Sequence, residues 1–184
     1  MVLPIIAFGS PILRKVCDEI TEDYQNLDSL IENMWVTMYN SKGVGLAAPQ
    51  INKSIRLFLI DTSPFIEEGV EENPVKKIFI NPSILNEEGD FWSFNEGCLS
   101  IPEVREDVKR KSIITIKYQN DKFEWFTDTF DGLTARVIQH EYDHIQGKLF
   151  IDYISPLRKR MIKRKLNDIA KGNINVNYKM KFFF

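Results

Sequence analysis

Hydrophobic residues recur at helical spacing in three parts of the chain. Leu27, Leu30, Ile31, Met34, Trp35, Met38 and Tyr39 mark the first, an amphipathic helix of about four turns that ends where Gly43 supplies a residue free to take positive φ. Asp131-Gly132-Leu133-Thr134 opens a second, which runs to about Gly147. Ser155-Pro156 is an N-cap followed by proline at the first helical position, and Leu157, Met161, Ile162, Leu166 and Ile169 supply the apolar face of a third that ends near Gly172. The remaining apolar runs are too short for helices. Residues 1–8 read as a short strand, and Ile55–Asp61 and Lys76–Asn81 as buried strands joined by a polar loop. Ser112–Tyr118 and Lys122–Thr129 are β-branched and aromatic and flank Asn120-Asp121, which predicts a hairpin. Strands fill the middle and helices the flanks. The expected class is α+β, with mainly antiparallel sheets around a central helix and further helices toward the N- and C-termini.

At 184 residues the chain suits one domain, 1–184, carrying a basic C-terminal helix at 156–172 and an extension at 173–184. A hydrophobic fraction of 43% against 27% charged residues argues for a packed core and against disorder. No internal repeat is present. The apolar N-terminus has no basic flank and is interrupted by Pro4, Gly9 and Pro11, so it does not read as a signal peptide, and no run has the roughly 18 apolar residues of a membrane span. The expected location is the cytoplasm, where Cys17 and Cys98 stay unpaired. The net charge of −2 conceals an asymmetry, since residues 156–184 hold nine Lys or Arg against Asp168 alone. A basic tail on an acidic body reads either as a solvated helix face or as a contact for a polyanion such as RNA.

The strongest local chemical signal is His140-Glu141-Tyr142-Asp143-His144. Positions i and i+4 share a helix face, so both imidazoles can bind one divalent ion while Glu141 reaches a water beside it. The chain has two histidines, and both are here. A catalytic tetrahedral ion takes three protein ligands and keeps a position open, so the third ligand decides the enzyme class. In the metzincin pattern Gly147 is in place, but Phe150 stands where the third histidine belongs. The thermolysin pattern needs a later Glu, and none follows Glu141. Cys98, in Glu96-Gly97-Cys98-Leu99-Ser100, is the better candidate because thiolate is a strong ligand for a borderline ion. Asp152 and Asp168 keep a zinc endopeptidase open, and a metal-stabilised module without catalysis is a further alternative.

Gly43-Val44-Gly45-Leu46-Ala47-Ala48-Pro49-Gln50, Glu96-Gly97-Cys98-Leu99-Ser100 and Gln139-His140-Glu141-Tyr142-Asp143-His144 resemble, in order and spacing, the three signature blocks of peptide deformylases of bacterial type. The resemblance implies one divalent ion on Cys98, His140 and His144: ferrous iron in the cell, with zinc, nickel or cobalt also accepted by this donor set. It implies hydrolysis of the formyl amide of N-formylmethionyl nascent peptides, releasing formate, with water activated by the ion as nucleophile. Glu141 is then general base and acid, and the Gln50 side chain and the Leu99 N–H are the oxyanion donors. Gly43, Val44, Gly45, Leu46 and Gly97 would flank an extended peptide, with Arg105 at the cleft mouth or simply in solvent. Val44, Leu133, Val137 and the stem of Arg136, its guanidinium outside, would hold the methionine side chain. The basic C-terminal helix would meet the ribosome; neither DNA nor a membrane is expected as a partner.

Overall fold

The computed structural model describes residues 1–67 and 73–183. Its elements in order are β1 (Ile5–Ile6), α1 (Leu27–Asn40), β2 (Gly45–Ala47), β3 (Leu57–Asp61), α2 (Pro64–Glu67), β4 (Lys76–Cys98), β5 (Ile101–Gln119), β6 (Trp125–Asp131), α3 (Gly132–Ile145), α4 (Pro156–Ala170) and β7 (Met180–Lys181), with short 3-10 turns at Pro11–Arg14, Ala48–Ile51 and Phe150–Asp152. Strands β2 to β6 form an antiparallel sheet in sequence order, while β1 and β7 pair in parallel. The α+β class with a mainly antiparallel sheet is as the sequence patterns predict.

The three expected helices form close to their anticipated bounds. At the end of α1 the left-handed residue is Lys42, with φ 55°, rather than Gly43. Gly43 is needed for space instead, since a Cβ there would lie 2.9 Å from Leu99 Cδ1. Ser155 Oγ accepts from Arg158 N at 3.3 Å and caps α4. Leu166 and Ile169 face the core, but Leu157 and Met161 are 68% and 63% exposed, so the buried stripe of α4 is narrower than its apolar positions suggest. The loop before β4 contains the single turn α2, and residues 68–72 of that loop lie outside the described residues.

The largest departure is the β4–β5 hairpin, whose strands extend through 82–111, where hydropathy predicts no element. Val104, Glu106, Val108 and Arg110 are buried and alternate with exposed Glu103, Arg105, Asp107 and Lys109. Period-two burial is therefore real, but charged residues at two inward positions hide it from a hydrophobicity reading. Register shifts at four places along the hairpin bend it. The next strand pair turns through residues 120–124, with Phe123 at φ 59°, so β6 begins at Trp125, three residues beyond the predicted Lys122.

Helix α3 lies against β2, β3, β5 and β6 and is buried on nearly every side. This packing fixes the chemistry-bearing residues of α3 against the tip of the β4–β5 hairpin. One apolar cluster joins α1 to β2 and β3; a second joins β3, β4 and β5 to α3; a third lies between the start of β5 and α4. Both cysteines are free. Among the described residues no helix is long and apolar enough to cross a membrane.

Candidate active site

Cys98 ends β4, His140 and His144 stand one turn apart on α3, and their ligand atoms lie within 4.8 Å of one another. Cys98 Sγ is 3.2 Å from His144 Nε2, and the two imidazoles meet nearly edge to face with ring centroids 5.1 Å apart. The donor set fits a divalent ion: one sulfur and two imidazoles converge, as a borderline-soft cation requires. The alternative carboxylates are elsewhere. Asp152 pairs with Arg14 at 2.6 Å and accepts from Leu149 N, and Asp168 lines a separate surface hollow beside Met161 and Arg164.

Around these atoms the side chains are oriented by buried bonds. His140 Nδ1 meets Glu96 Oε2 at 2.9 Å, leaving Nε2 toward the cluster. Glu96 also accepts from Arg110 at 2.7 and 3.1 Å and from Arg136 at 2.9 Å, and Arg110 reaches Asp143 at 2.6 Å. Burial opposes a charge on His140, but its bonds to Cys98 and Glu96 carry its pKa well above the ordinary value. Burial holds His144 well below its ordinary value, as a neutral imidazole. Glu141 is 4% exposed, and its Oε2 has no partner among the described residues. Burial pushes the Glu141 carboxyl up to about 7, where a group can both take and return a proton near neutrality.

Gln50, in the turn after β2, is 2% exposed. Its Oε1 accepts from Ala47 N at 2.9 Å, so its Nε2 points at Cys98 Sγ (3.4 Å) and Ser100 Oγ (3.3 Å). A cleft of about 810 Å³ opens above these groups. Of the substrate residues anticipated from sequence, Gly43, Val44, Gly45, Gly97, Arg105, Arg136 and Val137 line it, whereas Leu46 and Leu133 are buried and do not line it. Arg105 is tied to Asn95, donating to its side chain at 3.0 Å and its carbonyl at 2.6 Å.

Arg136 requires a correction. Its guanidinium does not lie outside the pocket but inside the protein, 1% exposed, bonded to Glu96, to Val108 O at 3.0 Å and to Trp92 O at 2.8 Å. Buried carboxylate Glu96 supplies the countercharge that makes this burial tolerable.

Sequence reasoning gives no role to Glu96, Phe65, Phe94 or Tyr178, all of which border the cleft. Glu96 carried a signal, being a charged residue two positions before a candidate ligand on one strand. Tyr178 carried none, because its place depends on how the C-terminal segment folds back.

The polypeptide deformylase family model matches residues 2–160. The chain belongs to the polypeptide deformylase family. A peptide deformylase of Christiangramia forsetii is 56% identical over 99% of this chain and 96% of its own length, and one of Cytophaga hutchinsonii is 48% identical over 99% and 98%. Among solved structures, the peptide deformylase of Legionella pneumophila superposes with a TM-score of 0.81 at 36% identity, covering 94% of this chain and 98% of that one. This deformylase is thus a hydrolase dependent on a single divalent metal, and it removes the N-formyl group from nascent peptides.

Proposed function

We propose that Cys98, His140 and His144 hold the divalent ion of this deformylase and that Glu141, Gln50 and the Leu99 N–H do the remaining work on the formyl amide. The unpartnered Oε2 of buried Glu141, beside three converging ligand atoms, carries this reading. When bound, the ion supplies Lewis acidity toward the formyl oxygen and lowers the pKa of water at the site. Glu141 takes the proton from the attacking water on its carboxylate and delivers it to the nitrogen of the leaving amine. Gln50 Nε2 and the Leu99 N–H donate to the oxygen that becomes negative as the carbonyl is attacked, and Gln50 does so without bringing a second ion to desolvate. His144 binds as a neutral ligand, and Glu96 keeps the His140 ring in its binding orientation.

The cleft shape supports an extended peptide between Gly43–Leu46 and Gly97, with Arg105 at the mouth. The methionine side chain would enter between Val44 and Val137, with Phe65 and Phe94 adding apolar surface. The whole of 1–184 acts as one deformylase domain. Ferrous iron is the ion in the cell, zinc, nickel or cobalt can replace it, and the location is the cytoplasm. On α4, Arg158 bonds Glu106 at 2.8 and 2.9 Å, Lys165 pairs with Glu103 at 3.0 Å and Lys159 donates to Asp152 O at 3.1 Å, so the exposed cations left for a ribosomal surface among the described contacts are Arg160, Lys163 and Arg164.

The test is turnover of a formyl-methionyl peptide by anaerobically purified, metal-analysed protein. Formate release that falls at least about a hundredfold in Glu141→Ala, with metal content retained, is expected. Near-wild-type activity in that variant, or cleavage of unformylated internal peptide bonds instead, would overturn the assignment.

A further inference from the structure

The C-terminal segment, beyond the residues that the family model matches, folds back into the cleft. β7 adds in parallel to β1, with Lys179 O and Lys181 O accepting from Ile5 N and Ala7 N at 2.8 and 2.9 Å. Phe182 and Ile174 pack on the cluster beneath α4. Between these anchors Asn175, Val176, Asn177 and Tyr178 form part of the cleft wall. Tyr178 Oη donates to Leu99 O at 2.8 Å.

Leu99 and Ser100 are the two-residue loop of the β4–β5 hairpin, because Cys98 pairs with Ile101. Such loops favour turns with positive φ, whose twist matches the strands. Neither Leu99 nor Ser100 takes positive φ, and the register shifts at Gly97/Cys98. Without the favoured twist, the loop of Leu99 and Ser100 draws on bonds that hold it from outside. Three bonds do so: Phe8 N to Ser100 O at 2.9 Å, Gln50 Nε2 to Ser100 Oγ at 3.3 Å, and Tyr178 Oη to Leu99 O. The last alone grips the carbonyl of the central peptide, whose rotation converts one turn type into another.

We propose that Tyr178 is a positioning residue for deformylation, its hydroxyl holding the Leu99 carbonyl and so fixing residue 99, whose N–H, in the adjoining Cys98–Leu99 peptide, stays directed at the developing oxyanion. This rests on the reading of Leu99 as an oxyanion donor. Tyr178→Phe keeps the ring and its packing but removes the bond. Tyr24→Phe is the control, since Tyr24 packs on the same α1 cluster as Tyr178.

With a formyl-methionyl peptide, Tyr178→Phe should lower kcat about five- to tenfold with KM changed by less than about twofold, while Tyr24→Phe leaves both unchanged. In zinc-loaded protein the Leu99 amide should exchange faster with solvent in Tyr178→Phe than in wild type, a readout independent of turnover. Wild-type kcat in Tyr178→Phe, a loss confined to KM, or an unaltered Leu99 amide would overturn the proposal. Absence of formate release by wild-type protein would instead overturn the functional reading beneath it.

Discussion

A Cβ built on Gly45 would overlap the Glu141 carboxylate, coming within 2.8 Å of its Cγ and Cδ. Space, rather than dihedral freedom, explains this glycine: the strand that borders the cleft and the helix that carries Glu141 touch there without an intervening side chain. Gly45→Ala should push Glu141 aside and lower kcat by about 10²- to 10⁴-fold, the range of a lost general base. Metal content and thermal unfolding should change little, and a variant keeping more than about a tenth of kcat would show that the carboxylate has room to move.

The Glu96 side chain is 3% exposed and compensates two guanidiniums that are 6% and 2% exposed while orienting His140. Glu96→Gln keeps its shape and removes its charge. The variant should lose about 3–5 kcal/mol of stability, because Arg136 is left buried without its countercharge. It should also bind metal about 10–100-fold more weakly, because the His140 ring loses its charged partner. Asp143→Asn separates the two effects, since Asp143 touches Arg110 but has no bond to either imidazole among the described contacts. That variant should be less stable at nearly unchanged affinity. Urea titration of the metal-free proteins and chelator competition measure the two quantities.

Much of this architecture was legible in the sequence because helical periodicity and turn chemistry are local. Leu27 through Tyr39 and Ser155-Pro156 specify their elements without outside help, and the spacing of His140 and His144 guarantees a shared face. The β4–β5 hairpin was not legible, for the opposite reason. Its inward positions include Glu106 and Arg110, whose burial is sustained by Arg158, Glu96 and Asp143 from distant parts of the chain. Arg136 was misplaced for the same cause: nothing local announces that Glu96 will meet it. Tyr178 needs two further steps, the pairing of β7 with β1 and the contact of Phe8, just beyond β1, with the hairpin loop.

Lys77, Tyr118 and Asp128 link β4, β5 and β6, with Tyr118 Oη 2.6 Å and Lys77 Nζ 3.2 Å from Asp128 Oδ2. Burial alone would raise Asp128, but the bonds from Tyr118 and Lys77 outweigh it and leave its pKa lowered. A depressed carboxylate contributes stability above its unfolded value of about 3.9 and loses it as pH falls through the lower folded value. The stability gap between wild type and Asp128→Asn should therefore hold from about pH 5 to 8 and shrink below about pH 4. Lys77 and Asp128 are 38% and 35% exposed, so the gap is small and salt should narrow it further. Urea denaturation of metal-free protein at several pH values would show it; a gap that widens in acid would mean the carboxylate is not held by its partners.

Gln50 is fixed by the bond that its own Oε1 accepts from Ala47 N, so which end of the amide faces Cys98 is decided by the backbone of β2. Gln50→Glu preserves that acceptor and replaces the Nε2 donor with a second oxygen, facing the sulfur and Ser100 Oγ. A carboxylate there would repel the oxyanion that the amide should stabilise. Loss of an oxyanion donor costs about 10²- to 10³-fold in kcat, so Gln50→Ala should fall in that range. Gln50→Glu should fall further, because it adds repulsion to the missing bond. It should also partly recover as pH is lowered toward the value at which the new carboxyl is protonated and can donate again, whereas Gln50→Ala should show no such recovery. Steady-state kcat for both variants across pH 5 to 8, normalised to metal content, checks the ordering. Equal losses with the same pH profile would mean that this side chain packs the site without bonding the reacting oxygen.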